Sequence, residues 1–214
     1  YFYTVGGGFG DIKGLGIRRL NDWWQKFNLG KPAGIDLPGE ARGLLPNVEE
    51  KEKRTGTPWL LGDTYNVSIG QGDLLLTPLQ LFNYIATIAN GGRIYRPFIV
   101  SNLNHPKPEG NLSNFRTQIA EVEKGMVSAV DLPLGTAYLL HDLPVQVAAK
   151  TGTAQILSNT QANAFFVGFM PAEDPKIAIL ILVERSREGS LNTVPIAKDV
   201  LNWYYWNRVK TPTS

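Results

Sequence analysis

The chain has 214 residues, with 21 Lys plus Arg against 19 Asp plus Glu, and its formal charge of +2 leaves no basic stripe of the kind that phosphate-driven nucleic-acid binding needs. Apolar residues at 43% and charged residues at 19% exclude wholesale disorder, and the length is enough to bury a real core. The absence of cysteine excludes disulfide scaffolds, Cys metal sites and thiol nucleophiles together, and the two histidines, His105 and His141, leave little for a His-centred metal cluster or triad. No stretch reaches the ~20 apolar residues of a membrane span. The longest apolar run, 177–183, has strand length. The chain does not begin with Met and opens on Tyr1-Phe-Tyr3, an aromatic run expected inside an element, so it reads as a fragment of a longer protein.

In chain order, Ile17, Leu20, Trp23, Trp24 and Phe27 stand at helical spacing, with Gly30 as the expected stop. The stretch 34–46 reads as loop, with Pro38-Gly39 fitting the centre of a type II turn. The charges clustered over 49–54 read as a solvated surface segment. A helix is expected to start at Thr77, where Thr77 is the N-cap, Pro78 the first helical residue and Gln80 the partner in a capping box. Leu79, Phe82, Ile85 or Ala86, and Ala89 share one face of it, and Asn90-Gly91-Gly92 ends it. A second helix is expected over 117–130, with Ile119, Val122, Met126 and Ala129 or Val130 inward.

The last third changes rhythm. Residues 145–155, 165–170 and 177–183 read as extended, with the short 171–175 connection making a hairpin of the last two. A final helix over 195–206 turns Ile196, Val200, Trp203 and Tyr204 toward a packing surface. Helices, then an antiparallel meander, then a closing helix make an α+β fold with helices packed on a sheet.

Most candidate functional groups read as structural. Gly6-Gly-Gly-Phe-Gly10 lacks the ending of a phosphate loop and reads as a flexible turn. Asp36, Glu40 and Asp63 lie beside turn residues, where Asp commonly bonds its own backbone, and read as structural. The run Ala148-Ala-Lys-Thr-Gly-Thr-Ala-Gln155 differs. Alternation puts Thr151 and Thr153 on one face of a strand, Gly152 between them permits close approach of a backbone, and Lys150 adds a positive charge. Such a strand suits edge addition of an extended peptide and capture of its terminal carboxylate. A solvent-facing lysine on a structural strand is the competing reading of the tripeptide alone.

Lys150-Thr-Gly152 is one of the signatures of penicillin-binding proteins and class A β-lactamases. Gly34-Ile-Asp-Leu-Pro-Gly-Glu40, Gly43-Leu-Leu-Pro46, Ser68-Ile-Gly-Gln-Gly72, Thr77-Pro-Leu-Gln80, Ala89-Asn-Gly-Gly92, Lys150-Thr-Gly-Thr-Ala-Gln155 and Phe166-Val-Gly-Phe169 together resemble, in the same order, the class B penicillin-binding proteins, and most of all their elongation-type penicillin-binding protein 2 branch. The resemblance covers nearly the whole chain. It implies a penicillin-binding/serine β-lactamase-like fold, with 1–214 as the C-terminal portion of one transpeptidase domain, in a D,D-transpeptidase that cross-links peptidoglycan stem peptides and is acylated by β-lactams.

In that family a Ser-x-x-Lys motif supplies the nucleophile and a Ser-x-Asn or Ser-x-Asp motif relays the proton. No serine here has Lys three residues later, and Ser190-Leu-Asn192, read as a loop before the last helix, lies downstream of Lys150 where the family has its motif upstream. The nucleophile is therefore expected upstream of Tyr1, and the fragment alone is expected to be inactive. The resemblance gives Lys150 the electrostatic balance of the site, Thr151, Gly152 and Thr153 the binding of the substrate carboxylate, and the Thr153 backbone N–H a place in the oxyanion hole. Asn163-Ala-Phe-Phe-Val-Gly168 departs from the His-Ala-Trp-Phe type of sequence found in many relatives, which leaves substrate preference open. The resemblance implies no cofactor or metal. The implied partners are stem peptides, β-lactams, a glycosyltransferase and other cell-wall elongation proteins, with the domain on the outer face of the cell membrane and an N-terminal anchor outside this chain. A non-catalytic β-lactam or muropeptide sensor and a serine β-lactamase are the alternatives, the latter opposed by the motifs of 34–40 and 68–80.

Overall fold

The structure, a computed structural model, describes residues 1–100, 107–156, 161–186 and 189–210. His105 lies outside them. The chain forms two compact units, Tyr1–Leu81 with Arg96–Pro106, and Phe82–Tyr95 with Lys107–Ser214.

Among its described residues the first unit carries four helices, α1 (Phe2–Gly7), α2 (Gly16–Lys26), α3 (Val48–Thr55) and α4 (Leu61–Ser68), and the start of α5 (Pro78–Ala89). Gly6 and Gly7 are helical, so the expected flexible turn begins only at Gly8, whose φ is 91°. The reason is close packing: a Cβ on Gly6 would lie 1.7 Å from Ser68 Oγ. Helix α2 ends earlier than expected, because Asn28 takes the left-handed conformation (φ 61°) and the Leu29 amide bonds back to the Trp24 carbonyl at 3.0 Å. Gly30 serves a different purpose, since a Cβ there would meet Leu45 at 2.5 Å. The charged run is exposed as expected, but it is a helix, capped by Asn47 Oδ1 accepting from the Glu50 amide at 3.0 Å.

The carboxylates of this unit serve the backbone. Glu40 accepts from the Ala33 and Gly34 amides, and Asp36 from those of Ile99 and Val100 at 2.8 and 3.0 Å. The Val100 and Ile99 amides hold the Asp36 carboxyl below its ordinary range. Asp63 accepts from the Leu60 amide at 2.7 Å and pairs with Lys51.

The capping box at the start of α5 forms as expected. Gln80 donates its amide to Thr77 Oγ1 at 3.1 Å, and Gln80 Oε1 accepts from the Thr77 amide at 3.0 Å. Gln80 is also almost fully buried, and its Nε2 donates to the carbonyls of Lys31 and Arg42 at 2.6 and 2.8 Å. One side chain thus ties the helix start to two separate loops. Both protons of its amide group are used inward.

The second unit continues α5, which buries Ile85, Thr87 and Ile88 and ends through Gly91 and Gly92 at φ 73° and 100°. A short ribbon follows, β1 (Arg93–Ile94) with β2 (Gly110–Asn111), and then α6 (Arg116–Asp131). The inward line of α6 is Ile119, Met126 and Val130, with Glu123 half-buried between them. Val122 sits one step round the helix from that line and is exposed, against expectation.

The sheet is an antiparallel meander in the order β3-β4-β5, formed by Ala148–Ile156, Gln161–Met170 and Ile177–Ser186. β4 starts four residues earlier than the apolar pattern indicates, and β5 runs three residues further. Helix α7 (Gly189–Tyr204) covers one face with Val194, Ala197 and Leu201 packed against Phe166, Met170, Ala149 and Val147. This corrects the expected face, because Ile196, Val200 and Trp203 are exposed while Tyr204 packs on the core. The helix begins six residues before Pro195, so Ser190-Leu-Asn192 lies in its first turns, not in a loop, and Asn192 Nδ2 donates to Ser186 Oγ at 2.6 Å. The α+β reading holds.

Two outcomes check this packing. Replacing Gln80 by Leu strands two carbonyls and a helix cap, and should lower stability by about 2–4 kcal/mol in urea unfolding. A loss indistinguishable from zero would mean that the two loops hold without it. Leu201→Ala should destabilise by about 2–5 kcal/mol and Trp203→Ala by much less. The reverse order would restore the expected helix face.

Candidate active site

The Lys150 strand owes its position to small residues. Across the β3–β4 ladder Ala149 pairs with Gly168, Thr151 with Phe166, Gly152 with Phe165 and Thr153 with Ala164. A Cβ on Gly168 would lie 2.8 Å from the Ala148 carbonyl, so that position admits only glycine without a shift. Among the described residues β3 has a strand partner on one side only, and is therefore an edge.

Alternation and register then fix the faces. Lys150, Gly152 and Ala154 share one face with Phe165 and Val167 of β4 and with Leu180 and Leu182 of β5. Ala149, Thr151 and Thr153 lie on the opposite face, with Phe166 and Ala164. Lys150 remains an exposed residue overall, but its ammonium rises from an apolar face and donates to the Thr151 carbonyl. Partial burial pushes its pKa below the ordinary lysine value of 10.5.

The threonines are expected on one face and are found there, in different surroundings. Thr151 is only 8% exposed, and its Oγ1 donates to Thr136 Oγ1 at 2.8 Å. Thr153 is exposed. The strand thus brings Lys150 and Thr153 to the surface on opposite faces of one edge, and turns the Thr151 hydroxyl toward the segment before β3. Thr136 is the residue that sequence reasoning missed. It lies 15 positions from Thr151, and no local periodicity marks it.

Nearby groups are engaged in structure. Asn163 shares the Lys150 face, and its Oδ1 accepts from the Arg185 amide at 3.2 Å beside a shift in the β4–β5 register. His141 stacks on Tyr138 with centroids 4.1 Å apart, and its Nδ1 lies 2.8 Å from the Tyr138 carbonyl oxygen. In the first unit, Gly34–Glu40 and Thr77–Gln80 make the backbone contacts described above. The turn at Ser68–Gly72 uses two left-handed glycines, Gly70 and Gly72. Among the described residues no helix is long and apolar enough to cross a membrane.

Residues 12–202 match the family described as "Penicillin binding protein transpeptidase domain". The chain is 33% identical to the peptidoglycan D,D-transpeptidase MrdA of Acinetobacter baumannii, over 99% of this chain and 34% of that protein. Its fold is similar to the penicillin-binding protein PBP2 of Helicobacter pylori, with a TM-score of 0.84 and 33% identity over 96% of this chain and 37% of that one. A complex of PBP2 with MreC from Helicobacter pylori superposes with a TM-score of 0.82 and 32% identity, covering 97% of this chain and 38% of that one. The chain therefore spans about a third of the length of the curated relative it matches. On the match over 12–202 and the shared helix-and-sheet architecture, the chain belongs to the penicillin-binding protein transpeptidase family.

Proposed function

We propose that the chain supplies one wall of the acyl-transfer site of a peptidoglycan D,D-transpeptidase of the PBP2/MrdA type. The observation that carries this reading is the Lys150-Thr-Gly-Thr153 run on an edge strand, with a partly buried ammonium, inside a chain matched to the family from residue 12 to 202. Extended stem peptide adds along the β3 edge. Its terminal carboxylate, or the equivalent group of a β-lactam, is held by Lys150 and on the threonine side of the Thr151–Thr153 segment. A serine oxygen attacks the peptide carbonyl, whose oxygen takes up the developing negative charge. The Thr153 backbone N–H is one of the two donors that stabilise it. The leaving amine departs with a proton, and the amine of a second stem peptide then attacks the acyl-enzyme and regenerates the serine.

No serine in these 214 residues precedes a lysine by three positions. In this reading the nucleophile, its lysine base and the relay motif come from a part of the protein outside the chain, and 1–214 is the C-terminal portion of the transpeptidase domain. The reaction takes place on the outer face of the cell membrane, with an N-terminal anchor and with a glycosyltransferase and other elongation proteins as partners. The similarity to a PBP2 solved with MreC supports a cell-wall assembly of this kind.

In the full-length protein, Lys150→Ala should slow acylation by fluorescent penicillin by about 10²-fold or more with the fold retained. An unchanged rate would make β3 a structural strand. The pH dependence has a definite sign. Burial lowers the Lys150 pKa, so between its folded value and 10.5 the folded chain binds fewer protons than the unfolded one. Stability from this group rises with pH across that window, while the ammonium that attracts carboxylate is lost. The alkaline limb of acylation should therefore fall below 10.5 and vanish from the residual activity of Lys150→Arg. A limb at the same pH in that variant would assign it to another group.

A further inference from the structure

The hydroxyl arithmetic beside β3 reaches beyond the strand itself. Thr151 and Thr136 carry one hydroxyl proton each, and one of the two is consumed in the bond from Thr151 Oγ1 to Thr136 Oγ1. A single donor remains for anything outside the pair. Thr151 is 8% exposed and Thr136 is exposed, so the remaining proton is on the residue that meets solvent. Accepting from Thr151 also strengthens Thr136 as a donor, since hydrogen bonds in series polarise one another.

The segment holding Thr136 is built to keep it there. The Gly135 amide donates to the Leu132 carbonyl at 2.7 Å, and the Ala137 amide donates to the Ala129 carbonyl at 3.0 Å. Ala137 is fully buried in the α7–sheet core. A Cβ on Gly135 would lie 2.2 Å from the Ala129 carbonyl oxygen, so only glycine lets this turn press against the end of α6. Thr136 is thus pinned between two anchored neighbours, with its hydroxyl beside the middle of β3.

Building on the transpeptidase reading, we infer that Thr136 is a binding residue of the same site. It is the outward donor of a Thr151–Thr136 hydroxyl pair, and it takes a carboxylate-bearing ligand on the threonine side of the β3 edge. Thr151 acts behind it as a positioning residue.

The test uses the full-length protein with benzylpenicillin and its methyl ester, in which the carboxylate is masked. Thr136→Val removes the donor at nearly constant volume, and Thr136→Ser keeps it. In Thr136→Val the acid should acylate about tenfold or more slowly, while the ester changes by less than about twofold, so the acid-over-ester preference shrinks. Thr136→Ser should retain the preference. The inference is overturned if Thr136→Val keeps the wild-type preference, whatever its absolute rates, or if Thr136→Ser loses as much as Thr136→Val. A wild-type protein that benzylpenicillin does not acylate would instead overturn the transpeptidase reading on which the inference stands.

Discussion

The ladder between β3 and β4 sets everything else at the candidate site. It joins all nine residues of Ala148–Ile156 to their partners without a break, and so fixes which face each side chain of the Lys150 run occupies. The ladder is close because its interior is made of small residues, Ala148, Ala149, Gly152, Ala164 and Gly168, and because Phe166 fills the space on the far face against α7. A rigid ladder with one open edge is a template that can accept an extended chain while keeping an ammonium and a threonine hydroxyl in register with it. Partial burial of Lys150 on an apolar face then makes its charge count for more than it would in water.

The first unit rests on a different device. Its loops contain many glycines in left-handed conformations and few apolar anchors, so backbone polar groups must be satisfied one by one. Gln80, Glu40, Asp36 and Asp63 do this, each bonding backbone groups from other segments or from the next turn. The family-like motifs of this unit, Gly34–Glu40 and Thr77–Gln80, are accounted for by that need. In the proposed function the chemistry falls instead to the shorter Lys150 run.

What could be read from the sequence follows the range of the forces involved. The capping box of Thr77 and Gln80 is local and was legible, as were the helices over α2 and α6 and the order of the three strands. The further use of Gln80 on Lys31 and Arg42 depends on loops 49 and 38 residues away and leaves no local trace. In α7 two apolar stripes compete, Ile196-Val200-Trp203 and Val194-Ala197-Leu201. Only the bulk of Phe166 and Met170 beneath the helix selects the smaller one. Proline at 195 suggests a helix start that the structure places at Gly189. The site shows the same division, since Lys150, Thr151 and Thr153 stand out as a strand pattern while Thr136 becomes visible only when its hydroxyl is found against Thr151.

The central claim is that the β3 edge receives the carboxylate of the acyl donor. A crystal structure of the full-length protein acylated by benzylpenicillin tests it most directly. The penicillin carboxylate should lie within hydrogen-bond distance, about 2.7–3.2 Å, of hydroxyls on the threonine side of β3, with the acyl oxygen on the Thr153 amide. A carboxylate held elsewhere, with β3 out of contact with the ligand, would contradict it.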